Sequence, residues 1–486
     1  MKRQHRFIPR IVGLAALAFL IAAAGCARKH EGRSNEEVKM KGELRSAVEA
    51  RLPAIEAAFR SAPEKTENRR AYADILFKLG GMGQANEVIV PLAGTAAAAI
   101  DDVRLGARLA YVLGDYRKAE ELFGRLKDIA PPGSDAGPAA LEGLVLTYYQ
   151  TNRYDKAQNL KLTKTDRKAR DNGSLVDFMR RFSGVPYGIR WGSSEKVAHL
   201  PIVNDFTPAG ALPIVRLNVN GQPVEFILDT GGDRLYIDEG VARRIGIRTI
   251  SKRKAKYAYT GGKTVKEPLG VAESVEMDAV TLENVPVIVA KWKSLGLTTD
   301  GVLTTQILRQ FLTTVDYDRK EIIFRERNDR GRQEMLRSFE GDPVRLPFWM
   351  AGTHLMFALG SINGQTVSLF VDSGLAMSMP LVVTDEAVED LGLGDRKTKI
   401  EGMPYFWVPI GSYGMAGLQS GASQALGHVF VEEDPYWGMG FLADALISHQ
   451  YLRHLGSWTI DFDTMSYYFP PDAAERAKQS SGLDRQ

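Results

Sequence analysis

The 486-residue sequence predicts a multidomain chain, with all-α helical hairpins over residues 41–165 followed by an all-β region of two similar lobes, residues 206–330 and 331–470. Three observations carry this reading. In "ARLAYVLGDYRKAEELFGRLKDIAP" apolar residues recur at three- and four-residue intervals on both sides of a Gly-Asp turn, the pattern of two amphipathic helices folded back on each other. From about residue 195 the chain changes to short β-branched and aromatic runs between Gly, Asn and Asp turns, which is a strand signature. The β region also repeats itself, as "LNVNGQPVEFILDTGG" and again as "LGSINGQTVSLFVDSGL".

Composition excludes one class of partner. Hydrophobic residues make up 44% and charged residues 25%, ordinary for a folded protein. The 62 basic and 59 acidic residues nearly cancel to +3, too weak a field to make nucleic acid the partner.

Residues 1–25 read as a signal peptide, because the basic "MKRQHRFIPR" precedes the apolar "IVGLAALAFLIAAAG". That run is short for a membrane span and stops at Cys26, the only cysteine. A chain with one thiol has no internal disulfide, so core packing must hold it together. The segment "IAAAGC" resembles the lipobox of bacterial lipoproteins, with Ala23 where Leu is usual. The resemblance implies cleavage before Cys26, a lipid on its thiol, and a periplasm-facing position in the cell envelope. Ala27 in the next position implies the outer membrane. Residues 26–40 are polar and charged, as suits a flexible tether.

The helical region has an internal period. Leu113, Gly114 and Ala119 follow Leu79, Gly80 and Ala85 by 34 residues, and Asn152 and Ala157 continue the series after the longer loop "PPGSDAGP". With Ala119, Phe123 and Pro131 this resembles the tetratricopeptide repeat, though without its Trp. The resemblance implies a concave face that recruits a peptide or protein partner; hairpins that only support the next domain are the alternative. Residues 166–205, basic and broken by Gly and Pro, are expected to form a linker with one short helix, and residues 471–486 a polar tail.

In the β region each Asn-Gly pair predicts a hairpin, and each hairpin's second strand delivers an aspartate nine residues beyond the asparagine: Asn220 to Asp229, and Asn363 to Asp372. Short helical stretches follow in "IDEGVARRIGI" and "VTDEAVEDLGL", and matched later strands carry Asp316 and Asp461. With Asp229-Thr230-Gly231 in one lobe and Asp372-Ser373-Gly374 in the other, residues 206–470 resemble the retropepsin-like and pepsin-like aspartic peptidases. The resemblance implies a catalytic pair, Asp229 and Asp372, sharing one proton because two like charges a few ångströms apart resist joint ionisation. It gives Thr230 and Ser373 the task of locking the two loops and Gly231 and Gly374 that of a tight supporting turn. A flap over the cleft is expected in "KYAYTGGKTVKEPLG", with Tyr257, Tyr259, Gly261 and Gly262 at its tip, and a counterpart in "EGMPYFWVPIGSYGMAG". Thr304 and Ala443 stand where the family usually has glycine, and Gly232 and Leu375 are unusual after the motif.

These features imply an aspartic endopeptidase acting on a peptide or protein substrate, with no cofactor and no metal. A non-catalytic binding or scaffold lipoprotein is the alternative. His449 and His454 lack a metalloprotease motif, and "YTGGKT" lacks the earlier glycine of a phosphate-binding loop.

Overall fold

The computed structural model describes residues 43–163, 172–182, 184–206, 211–256, 264–291, 293, 298–375, 379–400, 405–428 and 439–480. Cys26 with its lipobox, and the flap residues Tyr257, Tyr259, Gly261 and Gly262, lie outside the described residues.

Helices Thr66–Leu79 and Met82–Ala93, Ile100–Val112 and Tyr116–Ile129, and Ala136–Gln150 and Tyr154–Gln158 form three successive hairpins. The residues that marked the period in the sequence sit at equivalent places. Gly80, Gly114 and Asn152 all turn with positive φ (88°, 78° and 56°), the left-handed conformation that ends a helix and that Asn tolerates best after Gly. Ala85, Ala119 and Ala157 are fully buried, because a larger side chain there would hold the paired helices apart.

The β domain is built as two lobes around a shared sheet. In the first lobe the strands Ile214–Val219 and Gln222–Asp229 pair as a hairpin, with Asn220 and Gly221 at φ 50° and 75°. In the second, Leu355–Ile362 and Gln365–Asp372 do the same, with Asn363 and Gly364 at 51° and 79°. Two successive left-handed residues make the turn whose twist matches the strands it joins. Between the lobes runs a six-stranded antiparallel sheet in the order Val344–Pro347, Ser466–Phe469, Ser457–Asp461, Leu312–Asp316, Glu321–Arg325, Val197–Pro201. At its centre Thr314 pairs with Thr459. These two are equivalent, 145 residues apart like Asp316 and Asp461, so a pseudo-twofold axis passes between them.

This sheet corrects the expectation for residues 166–205. Beyond the helix Asn172–Arg181, the strands Gly188–Trp191 and Val197–Pro201 join the lobe-1 sheet and the interlobe sheet. Their side chains are mostly half-exposed or exposed, so hydrophobic patterning is faint, and backbone pairing at a sheet edge holds them instead. The tail likewise contains the helix Ala473–Gln479, seated through buried Ala473 and Ala477.

The helical region meets both lobes, and on the second a buried ion pair anchors it. In lobe 1 the Asp300 carboxylate accepts from the Glu225 backbone N–H at 3.2 Å and pairs with Lys293 at 2.7 Å. The equivalent Asp444 accepts from the Ser368 N–H at 2.7 Å, but its cation is Arg45 of the helix Arg45–Glu49, at 2.6 and 3.0 Å. Arg45 also donates to the Ser368 hydroxyl at 2.9 Å, while Asp390 accepts from the Arg45 N–H at 2.5 Å and the Ser46 N–H at 3.3 Å at the start of that helix. Burial pushes Asp444 above the ordinary carboxylate value despite Arg45, the mark of an ion pair removed from water. Nearby, Phe77 meets Phe441 edge-on at 6.0 Å. Replacing Arg45 by Met is expected to cost about 3 kcal/mol, since it strands a buried carboxylate, and Asp444→Asn in the same chain is expected to recover part of the loss; urea unfolding of the two variants checks both.

Candidate active site

Asp229 and Asp372 end equivalent strands, each extended on the far side by a parallel partner. Asp229 stands opposite Thr304 in Gly301–Thr304, and Asp372 opposite Ser448 in Ala445–Ser448. Thr304 is therefore where the family glycine was expected, but the lobe-2 position belongs to Ser448 and not to Ala443. The apolar run that pairs with Gln365–Asp372 begins only at Ala445, because Phe441 is committed to the aromatic cluster with Trp349 and Phe357 and Asp444 to the Ser368 N–H.

The structure brings both motifs together at the lobe interface. The Thr230 N–H donates to the Ser373 hydroxyl oxygen at 3.0 Å, and the Ser373 N–H to that of Thr230 at 2.9 Å. The Thr230 hydroxyl donates onward to the Val371 carbonyl at 3.1 Å. All of these groups are buried, where an unmade hydrogen bond is expensive, so the loops are cross-braced and cannot shift independently. The Gly231 N–H donates to Asp229 Oδ1 at 2.7 Å and the Gly374 N–H to Asp372 Oδ1 at 2.8 Å. Each carboxylate also lies against the glycine of the opposite lobe: a Cβ on Gly231 would stand 2.8 Å from Asp372 Oδ1, and one on Gly374 2.0 Å from Asp229 Oδ1. Only glycine leaves room for the facing carboxylate.

The two acids are 4% and 1% exposed, and their carboxyl groups lie close enough for each to affect the other's proton affinity. Burial pushes Asp229 up to about 6, opposed by the Gly231 N–H. Burial, joined by the charge of Asp229, pushes Asp372 well above the ordinary range. A pair so placed retains a proton where separate carboxylates would have lost both.

Two departures noted in the sequence prove to be one. A Cβ on Gly232 would meet the Thr304 methyl at 2.5 Å, so the extra glycine of "DTGG" makes space for the threonine that replaces a glycine on the neighbouring strand. Lobe 2 answers differently, with fully buried Leu375 after its motif and Ser448 on the partner strand.

Sequence reasoning missed two supports. Thr305 donates its hydroxyl to the Thr230 carbonyl at 2.6 Å; this residue opens the helix Thr305–Leu308, and no local motif marks it. His354 comes from the second lobe and contacts the Gly231 backbone, with Nδ1 2.9 Å from the Thr353 hydroxyl. Burial lowers it to about 4, so its imidazole is neutral at physiological pH. In the segment expected as a second flap, Phe406, Val408 and Ile410 of the strand Tyr405–Ile410 point into the lobe core. The strands Arg248–Lys256 and Thr264–Met277, which bracket the first flap segment, pair antiparallel.

Residues 215–307 match the family model described as aspartyl protease. No curated protein matches the sequence. Among solved structures, basic 7S globulin from soybean is similar at 12% identity, covering 59% of this chain and 99% of that one with a TM-score of 0.36. Conglutin gamma, a basic 7S globulin from lupine seeds, is similar at 11% identity, over 60% and 99%, with a TM-score of 0.36. A retropepsin-like aspartic protease from Rickettsia conorii is similar at 16% identity, over 29% of this chain and 94% of its own, with a TM-score of 0.21. The β domain has an aspartic-protease fold, preceded by helices.

Gly232→Ala is expected to destabilise the chain by about 1–3 kcal/mol through overpacking, and Thr304→Gly in the same chain to relieve it; thermal unfolding of the single and double variants measures the coupling. A second expectation concerns pH. Asp229 and Asp372 bind protons more tightly folded than at the ordinary carboxylate value of 3.8, so the folded chain holds more protons above that value and stability falls as pH rises through about 6. Against Asp229→Asn, the wild-type chain is expected to lose stability between about pH 4 and pH 7, read as a difference in urea midpoints; parallel curves would show a dyad without raised proton affinity.

Proposed function

We propose that this chain is an aspartic-type endopeptidase that hydrolyses peptide bonds with Asp229 and Asp372. What carries the reading is the pair of buried carboxylates at the lobe interface, each against the opposite lobe's motif glycine and braced by Thr230 and Ser373. The match of residues 215–307 to the aspartyl protease model supports it.

In this reading a water bound between the carboxylates loses its proton to the ionised member as its oxygen attacks the scissile carbonyl carbon, while the protonated member donates to the carbonyl oxygen. A tetrahedral diol forms, with the dyad holding one proton throughout. On collapse the C–N bond breaks, the amine leaves with a proton from the dyad, and the diol returns one. Because the roles exchange within the cycle, neither aspartate is acid or base alone. Thr230, Ser373, Gly231 and Gly374 hold the carboxylates in register, so little reorganisation accompanies the movement of charge. We place the enzyme in the bacterial cell envelope, lipid-anchored through Cys26 and facing the periplasm, with the helical hairpins recruiting a protein substrate beside the cleft.

Incubation of the chain from residue 27 onward with a mixed peptide library, read by mass spectrometry, is expected to give internal cleavages. Asp229→Asn and Asp372→Asn are each expected to lower kcat/KM by at least about a thousandfold, as loss of one member of a concerted pair does. Turnover that survives either change sinks the mechanism, and a folded wild-type chain that cleaves nothing supports a binding role.

A further inference from the structure

Where the third helical hairpin meets the β domain lies a cavity of about 300 Å³ whose polar lining includes Gln150, Thr151, Asn152, Arg309, Gln310 and Arg327. Two guanidinium groups face one small space, and their surroundings differ. Arg327 is neutralised, its Nε donating to Asp463 at 3.1 Å and Nη2 to the same carboxylate. Arg309 is 3% exposed and has only neutral acceptors: Nη1 donates to the Gln150 side-chain oxygen, and Nη2 to the Tyr149 carbonyl at 2.9 Å and Asn152 Oδ1 at 3.2 Å. Its guanidinium carbon lies 5.0 Å from the centre of the Tyr149 ring. Among the described residues no carboxylate pairs with Arg309, and its Nε has no hydrogen-bond partner.

A buried cation without a counter-charge is a costly element, and stacking on a phenol face compensates only part of that cost. Arginine cannot escape by losing its proton. The group that would complete the site is an anion with oxygens able to accept from a planar fork, and the cavity beside Arg309 has room for one. We propose that this cavity binds a small oxyanion, a carboxylate or a phosphate group, held by Arg309 with the amides of Asn152 and Gln310 around it.

Such a ligand sits where it touches both parts of the molecule. Arg309 follows the helix opened by Thr305, whose hydroxyl holds the Thr230 carbonyl. Tyr149 donates its hydroxyl to the Asp233 carbonyl at 3.0 Å, and Gln150 donates to the Thr353 carbonyl at 3.0 Å, next to His354 against Gly231. An anion on Arg309 thus firms the seam between the helical hairpins and the loops that carry the dyad.

The test is thermal unfolding of the chain from residue 27 onward in inorganic phosphate, in acetate and in chloride at equal ionic strength. Phosphate, acetate or both are expected to raise Tm saturably above the chloride control; phosphate alone identifies a phosphate group as the natural ligand and acetate alone a carboxylate. Gln310→Glu sets a built-in carboxylate beside Arg309. This variant is expected to unfold at a higher temperature than wild type in chloride and to lose the response to added anion. Equal Tm in all three salts together with a destabilised Gln310→Glu overturns the site and leaves Arg309 as a strut between domains. Neither result depends on peptide cleavage, so the proposal and the peptidase reading stand or fall separately.

Discussion

The constraint on which this molecule turns is the confinement of two carboxyl groups in one nearly dry space. Asp229 and Asp372 repel each other when both are ionised, and among the described residues no cation pairs with either to soften that repulsion; the Gly231 and Gly374 N–H groups donate to them. A fold that allowed the loops to relax would let them separate. The reciprocal bonds between Thr230 and Ser373 prevent this, because moving either loop breaks two buried hydrogen bonds together. Thr305 pins the first loop again from behind. The closeness of the two carboxyl groups is thus imposed by packing.

The same requirement explains why glycine recurs around the dyad. Each carboxylate is pressed against the opposite lobe's glycine, so the lobes approach to a distance no side chain would permit. The exchange between Gly232 and Thr304 shows how tightly the volume is fixed, since a methyl group gained on one strand is matched by a side chain absent from the next.

Much of this was legible in the sequence because it is local. An Asn-Gly pair encodes its turn in two residues, and Asp-Thr-Gly or Asp-Ser-Gly after an apolar run encodes a strand end with a short acidic turn. The small residues of the helical hairpins, Ala85 and Ala119, declare close packing by their spacing. What escaped were features whose cause lies far along the chain. Arg45 reads as one more solvated charge until Asp444, 399 residues on, is found beside it. Arg309 and His354 gain meaning only from residues of other elements. The strands Gly188–Trp191 and Val197–Pro201 carry too few buried side chains to show an alternation. In the sequence Ala443 stands at the place that Ser448 holds in the fold, because the glycine-led run "GFLA" resembles "GVLT", whereas pairing, which sequence does not display, selects "ALIS".

The pairing of Thr314 with Thr459 has a wider meaning. Their hydroxyls meet at 2.7 Å across the pseudo-twofold axis, so one must donate and the other accept although the two are equivalent. In an assembly of identical chains the two placements would be equal in energy. Here Arg325 donates to the Thr314 oxygen at 3.1 Å, while the position 145 residues later is Pro470, which offers no donor. Two lobes carried on one polypeptide can differ where identical chains could not, so a scaffold with near-twofold symmetry here has a preferred direction.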